Sequence, residues 1–185
     1  MLQPQLFSLQ KGAPHILCLG AHCDDIEIGC GASLLKLLQA YPQTQVTWVV
    51  FTSTPLRKEE ATKGARAFTQ QAQRLDLRIF DLRDSFLPYI GGELKDLFEE
   101  LKKDIPTPDL IFTHYRHDLH QDHRKVSELT WNTFRNHLIL EYEIPKWDGD
   151  LGQPNTFIEV SQEFGEEKIR LLLESYPSQK NKHWF

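Results

Sequence analysis

Apolar runs that predict strands alternate along this 185-residue chain with segments of helical periodicity. The strand-like runs cover 15–20, 45–52, 77–82, 109–113, 137–144 and 156–160, and the helical segments cover 32–41, about 57–74, 93–103, a stretch through Val126, Leu129 and Phe134, and 166–175. This alternation is typical of βαβ units, whose parallel strands are covered by helices on both faces. We therefore predict an α/β fold with a doubly wound, mainly parallel sheet.

Composition and charge narrow the class of protein further. A hydrophobic content of 40% in a chain of this length is enough for one core, so we expect a single domain over 1–185. The net charge is −5 and the basic residues are scattered, so nucleic acid is not the expected partner. No apolar run reaches the ~18 residues of a membrane span, and the N-terminus lacks the apolar core of a signal peptide. The expected location is the cytoplasm.

One imidazole and three carboxylates crowd the loop after the first predicted strand: His22, Asp24, Asp25 and Glu27. Carboxylates packed this densely at a strand end repel one another and lose hydration, so a cation or hydrogen-bond donors must offset the cost. A bound metal is the simplest such partner. We expect Glu27 to lie outside the site and to face the start of the next helix, where a carboxylate is favourable.

A second polar stretch follows the fourth predicted strand and contains Asp118, His120, Asp122 and His123. In a doubly wound sheet the fourth strand lies beside the first, and the loops leaving the two strands diverge at the crevice where such folds bind ligands. The two polar stretches should therefore face each other.

The residue types in these stretches suit a catalytic metal centre. His22 and Asp25 are three residues apart, a spacing that directs both side chains to one side of a tight turn, and His123 or His120 would complete the set. Two imidazoles and a carboxylate suit catalytic zinc, but also Fe(II), so the ligand types leave the metal open. Asp24 is a candidate general base, and a positively charged His120 is a candidate to stabilise an oxyanion.

The remaining polar and sulfur groups near the two stretches have less definite roles. Asp118 and Asp122 either orient the imidazoles or cap the helix that follows. Cys23 and Cys30 are disfavoured as metal ligands, because oxygen and nitrogen donors nearby can complete a site without them.

Several motifs resemble those of one enzyme family, the LmbE-like or PIG-L type N-deacetylases. The segment 22–25 (HCDD) is similar to the family's AHPDD motif, and 118–124 (DLHQDHR) contains a counterpart of its HPDH motif. Arg57 and Glu60 match an Arg-x-x-Glu element, and 175–179 resembles a closing Ser-Gln turn. The resemblance implies a Rossmann-like fold and zinc-dependent hydrolysis of an N-acetyl group, commonly on a glucosamine unit.

The same resemblance assigns roles by position. It implies that His22, Asp25 and His123 bind zinc, that Asp24 is the base, and that His120 stabilises the oxyanion.

Three further positions bear on the resemblance. Arg57 falls where the family has a substrate-binding arginine, although this position could equally begin a solvated helix face. Cys23 replaces the family's proline, which removes a fixed φ from the loop. The chain ends at 182–185, whereas family members commonly continue, so the resemblance implies either truncation or a shortened substrate wall.

Two other functions stay open from the sequence. A nucleotide-binding sensory module on the same fold is disfavoured, because the first loop lacks GxGxxG and GxxxxGK[ST] and its carboxylates repel phosphate. A metal-dependent hydrolase or oxygenase of other small molecules keeps the metal and changes the chemistry. The expected partner is a small N-acylated amino-sugar substrate, and a homo-oligomer is compatible with the sequence.

Overall fold

The computed structural model describes residues 13–182, and within them five strands form one sheet. The strands are β1 (His15–Gly20), β2 (Gln45–Thr52), β3 (Arg74–Leu82), β4 (Leu110–His114) and β5 (Ile139–Tyr142). Their order is β3-β2-β1-β4-β5, and each neighbouring pair is parallel. The predicted doubly wound α/β fold is confirmed. The predictions about the N-terminal leader and about the end at 183–185 concern residues outside the described range.

Helices cover both faces of the sheet. They are α1 (Asp25–Ala40), α2 (Pro55–Phe68), α3 (Gly91–Asp104), α4 (Gln121–Thr133) and α5 (Gln162–Ser175). Alternate β1 side chains point to opposite faces, so Ile16 and Cys18 join the core beneath α1, α2 and α5, while Leu17 and Leu19 join the core beneath α3 and α4. No helix between residues 13 and 182 is both long enough and apolar enough to cross a membrane.

The first helix begins at Asp25, well before the predicted residue 32. The prediction placed the start too late because Gly29 and Gly31 resemble a turn in the sequence, whereas in the structure they lie inside the helix. A Cβ at Gly29 would lie 2.1 Å from Cδ2 of Tyr142, and a Cβ at Gly31 would lie 2.5 Å from Cε1 of Phe68. These glycines therefore permit close packing of α1. Because α1 starts early, Asp25 occupies the first turn of the helix, and its carboxylate accepts a hydrogen bond from the amide of His22 in the loop after β1.

Two other predicted elements differ from the structure. Helix α2 ends at Phe68, earlier than the predicted residue 74, and β3 begins at Arg74. The predicted strand at 156–160 is wrong: it pairs with no strand of the described sheet, and Phe157 is 79% exposed. A strand-like run forms a strand only where it finds a partner and buries one face, and in this segment only Ile158 packs partly against the core while the other four residues are exposed.

Glu27 lies in the first turn of α1, at the helix start as predicted, but it is also buried, which the sequence did not predict. The residue is 1% exposed, and its carboxylate accepts a hydrogen bond from the hydroxyl of Tyr176, the residue that follows α5. Burial raises the pKa of Glu27 to about 8, although the bond from Tyr176 acts in the opposite direction. This pair joins α1 to the C-terminal end of α5 inside the core.

Replacing Tyr176 with phenylalanine tests this contact. We expect Tyr176→Phe to lower the free energy of unfolding in urea by about 1–3 kcal/mol, because the buried Glu27 carboxyl loses its hydroxyl partner. The control is Tyr89→Phe at a side chain that is 79% exposed, where the change should stay within about 0.5 kcal/mol. Equal effects of the two substitutions would contradict the assignment.

Candidate metal centre

The two polar stretches meet at the carboxyl ends of β1 and β4, which are adjacent in the sheet. Nδ1 of His22, from the loop after β1, lies 3.1 Å from Nε2 of His123, in the first turn of α4. The prediction that the two stretches face each other is confirmed.

Three side chains, His22, Asp25 and His123, lie close together at this edge of the sheet. The Asp25 carboxylate lies between the two imidazoles, with Oδ2 at 3.3 Å from Nδ1 of His22 and Oδ1 at 3.5 Å from Nε2 of His123. Asp25 and His123 are buried, and His22 is only partly exposed. These are the three residues that the sequence predicts as metal ligands.

The other nitrogen of each imidazole is held by carboxylates. Nε2 of His22 lies 3.2 Å from Oδ2 of Asp122 and 3.2 Å from Oδ1 of Asp84, and Nδ1 of His123 lies 2.9 Å from Oδ2 of Asp118. When the imidazoles are neutral and each proton sits on the nitrogen held by Asp122 or Asp118, the opposite nitrogens present lone pairs toward Asp25. Those inner nitrogens also face the Asp25 carboxylate, so without a metal they attract protons, and a metal ion would take the place of those protons.

The charges of the three groups depend on one another. Burial opposes ionisation of each, but the attraction of Asp25 raises the pKa of His22 well above its usual value and raises that of His123. In return, the two imidazoles hold the pKa of Asp25 well below its usual value. The arrangement thus favours positive charge beside Asp25, and a divalent cation at the same point would supply it.

Sequence reasoning missed two side chains at this centre, His114 and Asp84. Nε2 of His114 lies 3.2 Å from Oδ2 of Asp25, and its ring stacks on His123 at a centroid distance of 4.0 Å. Burial lowers the pKa of His114 to about 4. His114 ends a buried strand and so resembles a core residue, although it also opens the histidine-rich stretch. Asp84 lies after β3, where the sequence shows no histidine to mark a site.

Neither cysteine near the loop joins the cluster. Sγ of Cys23 donates to the carbonyl of Thr52 at 3.4 Å, and Sγ of Cys30 donates to the carbonyl of Ile26 at 3.3 Å. The described residues contain three groups of side chains that could share a metal ion: His22, His120 and His123; Asp25, His114 and His123; and His22, Asp84 and Asp122. None of these groups contains a cysteine, and the predicted set of His22, Asp25 and His123 is divided between the first two.

The Asp24 carboxylate is engaged by Arg57, with Nη2 at 2.8 Å from Oδ2. The same guanidinium donates to the carbonyl of Cys23 at 2.5 Å and to Glu60 at 2.9 Å, so its contacts here are with protein groups. Glu60 in turn accepts two hydrogen bonds from Ser178, at 2.8 Å from the amide and 2.7 Å from the hydroxyl. Burial raises the pKa of Asp24 to about 6, and Arg57 limits this rise.

His120 is placed beside the centre, with its ring 4.7 Å from that of His22 and 4.5 Å from that of His123. It is also the N-cap of α4, because its Nδ1 accepts a hydrogen bond from the amide of Asp122 at 3.3 Å. Burial, and then the neighbouring imidazoles, lower the pKa of His120. The structure therefore favours a neutral imidazole with its proton on Nε2 over the cation that the sequence suggested.

Asp118 and Asp122 orient other groups and do not cap α4. Asp118 accepts from His123 and also from the amide of His120 at 2.7 Å. Asp122 is fully buried and accepts from the amides of Ser85 at 2.7 Å and Leu87 at 3.1 Å as well as from His22. Of the two roles that the sequence allowed, orientation is the one that the geometry shows.

Comparison with known proteins identifies the family. Residues 17–134 match the PIG-L family model, which is described as GlcNAc-PI de-N-acetylase. The chain is 30% identical over 183 residues to the uncharacterized deacetylase YaiS of Escherichia coli K12, an alignment that covers 93% of this chain and 96% of that protein. The chain belongs to the PIG-L family, as its motifs predicted, and membership in this deacetylase family supports a hydrolase.

Solved structures share the fold at lower identity. The N,N'-diacetylchitobiose deacetylase of Pyrococcus horikoshii has a TM-score of 0.65 at 23% identity, covering 95% of this chain and 75% of that one. The zinc inhibited form of the teicoplanin deacetylase Orf2 has a TM-score of 0.65 at 15% identity, covering 89% of this chain and 84% of that one. At these identities the likeness shows a common architecture.

The contacts of His22 predict unequal effects of two substitutions. We expect Asp122→Asn to weaken binding of an added divalent metal ion, with Zn²⁺ as the probe, about 10- to 100-fold, because an amide in either orientation sets an NH2 group against an N–H donor in this buried position. Asp84→Asn is the matched control: it lies at the same distance from His22, but its side chain is 71% exposed. There the change should stay below about 3-fold.

The measurement is competition against a chromogenic zinc chelator. Equal losses for Asp122→Asn and Asp84→Asn would show that burial of the orienting carboxylate does not matter.

Proposed function

We propose that this protein is a zinc-dependent N-deacetylase that removes an acetyl or similar acyl group from an amino-sugar conjugate. The observation that carries the proposal is the close approach of His22, Asp25 and His123, with the partly buried Asp24 carboxylate and the His120 imidazole in the same loops. We further propose that the chain acts as a single domain in the cytoplasm.

Zinc, when bound, supplies a positive charge that polarises the amide carbonyl and lowers the pKa of water. His22, Asp25 and His123 would hold it. Asp122 and Asp118 hold the outer nitrogens of the two imidazoles, which would leave the inner nitrogens to bind the ion once their protons are released. Fe(II) accepts the same ligands, and the choice of zinc rests on the family.

Asp24 is the proposed general base. It takes a proton from the attacking water as the oxygen–carbon bond forms, and gives a proton to the nitrogen as the carbon–nitrogen bond breaks, which releases acetate and the free amine. The ion pair with Arg57 favours the carboxylate form that this first step needs. Arg57 keeps a side chain that is 19% exposed, so a substrate contact remains compatible with its role beside Asp24.

His120 is the proposed donor to the developing oxyanion. Its Nδ1 is occupied by the amide of Asp122, so the proton lies on Nε2, the one ring nitrogen left for a substrate. A neutral donor in a partly buried position stabilises a negative oxygen without adding another charge beside the bound metal.

An acetate-release assay over amino-sugar conjugates tests the function, with the metal content of the protein measured in parallel. We expect acetate from N-acetylglucosamine conjugates, loss of release on chelation, and recovery on adding one equivalent of zinc. Because the neighbour Orf2 has a zinc inhibited form, zinc should be titrated instead of added in excess. Turnover by an iron-loaded protein alone, or release that survives chelation, would contradict the proposal.

Substitution of the proposed base separates metal binding from chemistry. We expect Asp24→Asn to keep one equivalent of zinc while kcat falls about 10²- to 10⁴-fold, because an amide cannot accept the proton from water. Asp96→Asn, at an exposed position of α3, is the matched control and should retain full activity. A zinc-loaded Asp24→Asn protein with wild-type turnover would exclude Asp24 as the base.

Substitution of His120 tests the proposed oxyanion donor. We expect His120→Ala to lower kcat about 10²- to 10³-fold with little change in KM, because the lost N–H bond strengthens only as the oxyanion forms. His117→Ala, on the exposed part of the same loop, is the control. An effect on KM alone would assign His120 to ground-state substrate binding.

A further inference from the structure

After β5 the chain turns back over the loop that carries His120. The segment 143–152, here called the strap, is closed on itself by a hydrogen bond of 2.5 Å from the amide of Gly152 to Glu143. Within the strap, Nζ of Lys146 lies 2.7 Å from both carboxylate oxygens of Asp150. The strap has no regular secondary structure, so these contacts define its shape.

Two polar contacts join the strap to the loop 118–120. Nζ of Lys146 lies 3.0 Å from Oδ1 of Asp118, and Oδ2 of Asp150 accepts the amide hydrogen of Leu119 at 2.5 Å. The side chains of Lys146, Asp118 and Asp150 are 11%, 2% and 6% exposed, respectively. Such ion pairs are largely shielded from water, so the loss of one partner costs far more than at a surface pair.

Asp118 connects the strap to the metal centre. Its Oδ2 accepts from Nδ1 of His123, and its Oδ1 accepts both the amide of His120 and the ammonium of Lys146. One carboxylate thus fixes the ring of a proposed ligand and the backbone of the proposed oxyanion donor. Its own position depends on the group that holds its free side.

Lys146 is the cation that contacts both carboxylates. Arg124 also reaches this loop, but its guanidinium donates to the carbonyl oxygens of Asp118 and Leu119 and not to a carboxylate. Without Lys146, Asp118 and Asp150 would be two buried like charges that repel each other. Asp150 would then be driven away from the amide of Leu119, and the loop 118–120 would lose its outer support.

We propose that Lys146 is a positioning residue of the active site, which holds Asp118 and Asp150 together and so fixes the loop that carries His120 and orients His123. The proposal deepens the proposed function, on which its metal readout rests. Its structural readout does not need a metal.

The test is Lys146→Met, which keeps the length of the apolar stem and removes the charge. In the metal-free protein we expect the amide hydrogens of Leu119 and His120 to exchange at least ~10-fold faster, measured by NMR. With zinc added, we expect the dissociation constant to rise about 10- to 100-fold in chelator competition. Lys146→Arg, whose guanidinium can span two carboxylates, should recover most of both effects.

The matched control is Lys125→Met on α4. Nζ of Lys125 lies 3.0 Å from Oε2 of Glu128, and this pair is not part of the strap. Unchanged exchange and zinc affinity in Lys146→Met would overturn the inference, as would equal changes in Lys125→Met. If the wild-type protein binds no zinc, the proposed function fails, and the amide exchange alone still decides the role of Lys146. If Lys146→Met does not fold, Lys146→Gln replaces it, with the same direction expected.

Discussion

The close approach of His22, Asp25 and His123 at the carboxyl edge of the sheet is the interaction on which the rest of the site depends, and the polar groups nearby fix the orientation of these side chains. Asp122 and Asp118 contact the outer ring nitrogens of His22 and His123. Those two carboxylates are themselves held by backbone amides and, for Asp118, by Lys146. The orientation of His22 and His123 is therefore fixed by groups outside the cluster, which is what preorganisation of a cation site requires.

Contacts from distant parts of the chain reach the loops after β1 and β4. The turn after α5 reaches Asp24 through Ser178, Glu60 and Arg57 in succession. The strap after β5 reaches His123 through Lys146 and Asp118. The two loops thus carry the reactive groups, while later segments of the chain fix their orientation.

The sequence was sufficient for features that depend on local pattern or on topology. The alternation of strands and helices gave the sheet, and the switch between β1 and β4 brought His22 and His123 together. The sequence did not predict features that depend on packing between distant segments of the chain. Glu27 does lie in the first turn of α1, but its burial and its pairing with Tyr176 join residues far apart in the chain. The run at 156–160 resembles a strand, but only Ile158 packs partly against the core and the segment joins no sheet of the described residues.

The packing of α1 on the sheet is linked to the metal centre through Tyr142. Tyr142 lies under Gly29, and its hydroxyl donates to the carbonyl of Leu19 at 2.7 Å and lies 3.3 Å from Nε2 of His114, which contacts Asp25. The single hydrogen on Gly29 is what lets the helix that carries Asp25 approach the edge strand. An alanine at position 29 would be accommodated only by moving Tyr142. Because the Tyr142 hydroxyl lies against His114, which contacts Asp25, this movement would be passed on to the metal centre.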